Sequence, residues 1–258
     1  MRYTIDAVVL CDRGRIRSKN QDNFWFNHSF LAAENNGLPV PVERQFKHTD
    51  FPVFAVFDGM GGENHGEVAA WLAAKTFDEY YKQTAGSSRS GTQAFLAEVC
   101  GRMNAAVCDY AREHRTGNMG STAAILAFCK REVYVCNIGD SKVFQYSDGV
   151  LAQISQDHVT TVAGTRKPSL TQNLGIPEDE FVLEPYIAKG ECQYGDRYVI
   201  CSDGITDMLE PDVIKGVLIV HKSTRECAEK LMELAMTAGG ADNTTIIVCD
   251  VSRGKGLL

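Results

Sequence analysis

The sequence predicts an α+β fold in which antiparallel strands and helices occupy separate stretches of the chain. Three observations carry this reading. Strand-like runs arrive in hairpin-like bursts, helical runs arrive in two pairs between them, and no repeat or domain boundary interrupts the 258 residues. Strict βαβ alternation, the mark of a parallel sheet, is missing. One domain over 1–258 is expected, near the upper size for a single core.

The elements follow in order. Tyr3–Leu10, Asn23–Asn27 and Val53–Phe57 are rich in β-branched and aromatic residues and read as strands. Residues 27–52, with Asn35-Asn36-Gly37 and three prolines, read as a long loop or a ragged hairpin. A helix is predicted over His65–Tyr81. After the polar TAGSSRSGT linker comes a second over Thr92–His114, with Phe95, Leu96, Val99, Met103 and Val107 as its apolar positions. A strand cluster follows at Ser121–Phe128, Glu132–Ile138, Lys142–Tyr146 and Leu151–Ile154, then strands at Phe181–Ile187 and Arg197–Cys201. Short helices at Ile205–Leu209 and Pro211–Val220 lead to a long one at Thr224–Ala238. A final strand covers Asn243–Val251.

Composition narrows the function classes. A net charge of −7 and a pI near 5.4 make nucleic acid an unsuitable partner. No run of about eighteen apolar residues exists for a membrane span. The N-terminal apolar run is too short, and its flanks too mixed in charge, for a secretory signal. The nine cysteines are scattered, with no CxxC pair, which points to a reducing, cytoplasmic setting.

Acidic residues recur at strand ends. PVFAVF runs into Asp58-Gly59, RYVICS into Asp203-Gly204 and VCNIG into Asp140; Asp242-Asn243 opens the strand TTIIVCDV and Asp22 precedes NFWF. Singly, each Asp-Gly is a turn. Together they pose the question of what neutralises them, because assembled carboxylates repel unless protonated or bridged by cations. Hard oxygen ligands suit Mg²⁺ or Mn²⁺, and the His and Cys spacings do not suit zinc. Arg17, five residues before Asp22, adds a guanidinium fork of the kind that grips phosphate. Spacing alone leaves turns and a divalent-cation site both open.

RSKNQD (17–22), VFDGMGG (56–62), GSTAA (120–124), NIGDSKVF (137–144), the DH of QDH (157–158), CSDGITD (201–207) and ADNTTIIV (241–248) occur in the order of the motifs of metal-dependent Ser/Thr protein phosphatases. The chain resembles this protein phosphatase 2C or PPM family, in its compact bacterial-like branch, from about residue 3 to 251. The resemblance implies a four-layer αββα sandwich, two antiparallel β-sheets flanked by antiparallel helix pairs. It also implies hydrolysis of phosphoserine and phosphothreonine in proteins by a metal-bridged water, without a covalent intermediate, using two or three Mg²⁺ or Mn²⁺ ions. By resemblance, Asp58 bridges two metals and Gly59 offers its carbonyl to one. Asp203 and Asp242 hold one metal and Asp22 serves the other largely through waters. Asp140 is a ligand of a third metal, with Asp207 assisting. Arg17 grips phosphate, so Arg17, Asp22 and Asp58 form the catalytic set. None of the cysteines fits a Cys-x5-Arg loop.

Several departures from the family pattern matter. Gln21 stands where many members carry Glu, Glu63 where bacterial members carry His, and Met60 where the animal enzymes carry a proposed acid. His65 reads as a helix-start residue, with proton donation or phosphopeptide contact as its alternative role. The run after Asp157-His158 is short, so the family's substrate-choosing flap is expected to be reduced and its contacts to move to residues 28–50. Expected partners are phosphorylated Ser/Thr proteins, including a cognate kinase or its substrates, with the chain monomeric. A phosphatase of a Ser-phosphorylated anti-sigma antagonist and a pseudophosphatase that only binds phosphoproteins are the alternatives.

Overall fold

A computed structural model of the protein describes residues 3–47, 49–61, 65–84, 91–161, 168–177 and 179–254. One antiparallel sheet is built from β1 (Tyr3–Asp12), β3 (Val42–Lys47), β8 (Lys142–Ser147), β9 (Val150–Gln153), β13 (Arg197–Cys201) and β14 (Thr244–Arg253), in the order β3-β1-β14-β13-β8-β9. The other contains β2 (Asp22–Phe26), β4 (Val53–Met60), β6 (Ala123–Cys129), β7 (Glu132–Ile138) and β12 (Tyr186–Glu191), in the order β12-β7-β6-β4-β2. The short β5 (Gly120–Ser121) pairs onto β4. The helices are α1 (Gly66–Thr84), α2 (Thr92–His114), α3 (Asp203–Thr206), α4 (Pro211–Val220) and α5 (Thr224–Thr237).

Central strands read as unbroken apolar runs because each feeds two cores. Along β4, Phe54 and Val56 point between the sheets, whereas Val53, Ala55 and Phe57 face α1 and α2. Along β14, Ile247, Cys249 and Val251 point between the sheets, and Ile246 and Val248 face α4 and α5. Alternation places successive side chains on opposite faces, so a strand buried on both faces has no polar position. The helices bring matching stripes: Ala69, Ala70, Ala73, Ala74 and Phe77 from α1, and Cys227, Ala228, Leu231 and Ala235 from α5. Small residues on α1 let its backbone lie close to the sheet. A capping box starts α5, with Glu226 N donating to Ser223 Oγ at 3.1 Å, and Pro211 fixes the first turn of α4. Among the described residues no helix is long and apolar enough to cross a membrane.

Arg197 ties the α4–α5 side to the first sheet. Its guanidinium donates to both carboxylate oxygens of Asp250 at 2.8 and 2.7 Å, and to the carbonyls of Leu218, His221 and Lys222 at the end of α4. The side chain is nearly buried, and the carboxylate offsets its charge.

Three expectations are corrected. Within 27–52, β3 is an edge strand paired to β1 from Val42–Val9 to Lys47–Thr4. Its sequence VERQFK lacks an apolar run because only one edge and one face are covered, and Phe46 alone is buried. The strand expected at Phe181–Ile187 is β12 at Tyr186–Glu191, set by pairing with β7; Phe181 and Val182 are 49% and 68% exposed. The helix expected at Ile205–Leu209 is the single turn α3, starting two residues earlier at Asp203.

Candidate active site

One end of the sandwich gathers the last residues of β4, the first of β2, and the loops before β2, α3 and β14. Register sets the first placement, since Asp22 pairs directly with Asp58 across β2 and β4. The Asp58 backbone is held on its other side by Thr122: Asp58 N donates to Thr122 Oγ1 at 3.0 Å and Thr122 N donates to Asp58 O at 2.8 Å. Gly59 N donates to Gln21 O at 3.1 Å. A Cβ on Gly59 would lie 2.1 Å from Gly66 O and 2.5 Å from Gln21 O, so only glycine lets β4, α1 and the Gln21 loop meet here.

Asp242 and Asn243 bring in the N-terminal loop. Asn243 Nδ2 donates to the carbonyls of Arg13 and Lys19 at 2.7 and 2.8 Å, and its Oδ1 accepts from Gln21 N at 2.8 Å. This staple holds loop 13–21 across the end of the sandwich and delivers Arg17 to a residue 225 positions away. Arg17 Nε donates to Asp242 Oδ1 at 2.8 Å and Nη2 to Asp242 Oδ2 at 2.6 Å, a bidentate fork. Gly204 packs α3 against the same region, where a Cβ would lie 2.1 Å from Asn243 O.

The result is a cavity of about 240 Å³ walled by Arg17, Asp58, Gly59, Asp140, Asp203 and Asp242 among the predicted residues. Gln21, Met60, Thr122, Leu170 and Asn243 complete most of the wall. Thr122 and Asn243 lie inside two of the motifs, but their work as backbone staples is legible only in three dimensions. Leu170 comes from a two-residue ladder, β10 (Val159–Thr160) with β11 (Ser169–Leu170), which stands where the reduced flap was expected. The intervening 162–167 lie outside the described residues, as does Glu63.

Three predicted residues are off the wall. Asp22 is 1% exposed and sits behind Asp58, its Oδ2 accepting from Ser202 Oγ and Thr245 Oγ1, both at 2.7 Å. Asp207 lies one turn beyond Asp203, its N–H donating to Asp203 O at 2.7 Å. Its negative charge helps raise the Asp140 carboxyl, where burial is the main cause. His65 is exposed at φ +62 immediately before α1, its carbonyl accepting from Val68 N and Ala69 N, which is the helix-start role. Of the segment 28–50, residues 35–38 are held at this end of the sandwich, with Asn20 Nδ2 donating to Asn35 Oδ1 at 2.7 Å and Leu38 N to Cys11 O at 2.8 Å. Among the described residues none from that segment lines the cavity, and β3 runs toward the opposite end of β1.

Among the described residues the wall brings together four carboxylates and the guanidinium of Arg17. Burial pushes Asp58 well above the usual carboxylate range, and the nearby charges of Asp22, Asp203, Asp140 and Asp242 push it further. Asp22 is pushed up to about 7, by burial first and then by Asp203 and Asp242, against the opposing hydrogen bonds from Thr245 and Ser202. Among the described residues Asp22 Oδ1 is buried with no hydrogen-bond partner. No three His, Cys, Asp or Glu side chains among the described residues form a tight metal-binding group; the carboxylates are distributed over the cavity wall. The donor chemistry nevertheless fits a hard divalent cation. Among the described residues the wall offers four carboxylates and no His or Cys.

A family model described as protein phosphatase 2C matches residues 44–235. The chain is similar to the serine/threonine phosphatase stp of Listeria welshimeri, 26% identical over 95% of each chain. It is also similar to the serine/threonine protein phosphatase PstP of Mycobacterium tuberculosis, 27% identical over 93% of this chain and 44% of that longer protein. Among solved structures, the catalytic domain of PstP in complex with two manganese ions superposes with a TM-score of 0.77. It is 25% identical, covering 98% of this chain and 100% of that one.

Proposed function

The chain belongs to the protein phosphatase 2C family, and from that premise we propose that it hydrolyses phosphoserine and phosphothreonine in proteins with the help of divalent metal. The observation that carries the reading is one cavity walled by Asp58, Asp140, Asp203, Asp242 and Arg17, with the orphaned carboxylate oxygen of Asp22 behind it. Asp58, Asp203 and Asp242, with the carbonyl of Gly59, would hold two Mg²⁺ or Mn²⁺ ions, and Asp140 with Asp207 a third. Such ions supply charge neutralisation and an activated water for in-line attack on phosphorus.

The chain's own residues do the rest. Asp242 fixes the Nε and Nη2 edge of Arg17, so the guanidinium keeps three of its five N–H donors for phosphoryl oxygens. Thr122 and the Gln21 carbonyl fix the Asp58-Gly59 backbone, so the central carboxylate keeps its place as charge enters and leaves. Met60 carries no proton to give to the leaving oxygen. Phosphate monoesters hydrolyse very slowly unaided, which gives a cluster this costly to fold its use. For a module that only binds phosphoproteins, the same buried carboxylates would cost stability without return. The partners that fit are Ser/Thr-phosphorylated proteins, a cognate kinase or its substrates among them, met by a monomer in a reducing compartment.

The deciding assay is hydrolysis of p-nitrophenyl phosphate and a phosphothreonine peptide with Mn²⁺, with EDTA, and by Asp203→Ala. Mn²⁺-dependent turnover that EDTA and the variant abolish is expected. Wild-type turnover no higher than that of Asp203→Ala would overturn the proposal.

A further inference from the structure

Beside the cleft runs a second, larger hollow of about 710 Å³ between the C-terminal end of α2, residues 117–120, residues 173–177 and residues 179–180. Met60 and Gly61 line both spaces, so the hollow lies directly beside the cleft. Its size is that of a ligand site, not of a packing defect.

The groove is a built feature. Its far wall is stapled to α2 by Asn104, a polar side chain only 3% exposed. Asn104 Oδ1 accepts from Gly175 N at 2.8 Å and Ile176 N at 3.2 Å, and its Nδ2 donates to Ile176 O at 2.9 Å. Ser121 and Leu174 exchange a reciprocal pair of backbone hydrogen bonds at 3.1 and 2.8 Å, fixing the same wall to the strand beside Asp58. A segment tied down this way keeps its shape before a ligand arrives, which lowers the ordering cost of binding.

Its chemistry selects an occupant. Ala111, Met119, Ile176 and Pro177 give it apolar contact, and Asn118 and Asn173 give it hydrogen-bonding groups. Of its charged residues, Arg112 is neutralised by Asp109 at 2.7 Å. Asp179 and Glu180 are exposed and form no ion pair among the described residues. Among the described residues the unpaired charge of the groove is therefore negative, while the cleft beside it is the site proposed to receive the phosphoryl group.

We propose that this groove binds the extended segment of a phosphoprotein substrate next to its phosphorylated residue, and that Asp179 and Glu180 select Lys or Arg in that segment. The inference rests on the phosphatase reading above and adds to it which substrates are preferred. An exposed ion pair changes affinity by about threefold, so two give a preference of roughly tenfold.

The test compares Mn²⁺-dependent kcat/KM on two phosphothreonine heptapeptides that differ only in carrying Arg or Glu on both sides of the phosphoresidue, with p-nitrophenyl phosphate as a substrate too small to reach the groove. Wild type should favour the Arg peptide about tenfold. Asp179→Asn/Glu180→Gln should remove most of that preference and Asp179→Lys/Glu180→Lys should reverse it, with turnover of p-nitrophenyl phosphate unchanged in both. Asp148→Asn/Glu191→Gln, the same charge change elsewhere on the surface, should leave the preference intact. A peptide ratio that the groove variants do not move, or that the distant variant moves equally, would overturn the groove while leaving the phosphatase reading standing. No wild-type turnover of p-nitrophenyl phosphate would overturn both.

Discussion

Replacing Gly59 with alanine tests the junction on which the site is built. The added Cβ would meet Gly66 O at 2.1 Å and both Gln21 O and Gly66 C at 2.5 Å, against ordinary contact beginning at 3.4 Å. The shortfall of 1.3 Å is against backbone atoms, which cannot rotate away as a flexible side chain would. To relieve it, the first turn of α1 must move off β4, yet its Ala69, Ala70, Ala73 and Ala74 face is sealed against the sheet. Overpacking of a well-packed core costs about 1–3 kcal/mol, and a backbone obstacle places this variant at the upper end. At about 2–4 °C per kcal/mol for a domain of this size, the midpoint should fall by roughly 6–12 °C. Thermal unfolding in EDTA isolates the effect from metal binding. Gly101→Ala is the control, because it lies in α2 with nothing within 4 Å of the new Cβ. That change should stabilise by about 0.5–1 kcal/mol through helix propensity. A Gly59→Ala midpoint within 2 °C of wild type would refute the close-approach argument.

Two further outcomes follow from buried charge. Burial raises Asp22 above its ordinary value to about 7, so the folded protein favours its neutral form. The stability this confers is complete below about pH 4 and is lost as pH rises through about 7. In EDTA, the urea midpoint of wild type relative to Asp22→Asn should therefore decline from pH 4 to pH 7.5; a flat or rising difference would contradict the assignment. Arg197→Met leaves Asp250 without its fork and removes the guanidinium donor from three carbonyls at the end of α4. It should cost about 3–5 kcal/mol, as breaking a buried pair does; chemical denaturation showing less than 1 kcal/mol would mean that water replaces the guanidinium.

Much of this protein is determined locally and is legible in its sequence. The apolar runs of β4, β6 and β14 announce strands buried on both faces, and the helices α2 and α4 begin and end where period and proline place them. Carboxylates at strand ends mark where chemistry would be sought, and six of the predicted site residues do line one cavity. What pairing decides is not legible in the same way. The strand β3 exists because β1 offers it an edge, not because VERQFK prefers extension. Asp22 and Asp58 look equivalent as strand-end acids, yet hydroxyls from Ser202 and Thr245 on the side of the other sheet cover Asp22 while Asp58 lines the cavity. His65 sits near the motif in sequence but lies outside the cavity wall, because Gly66 starts a helix that turns away from it. Arg17 meets Asp242 across 225 positions only because Asn243 staples the intervening loop. Local preference sets which residues can be strand, helix or ligand; long-range hydrogen bonding and close backbone approach decide which of them meet.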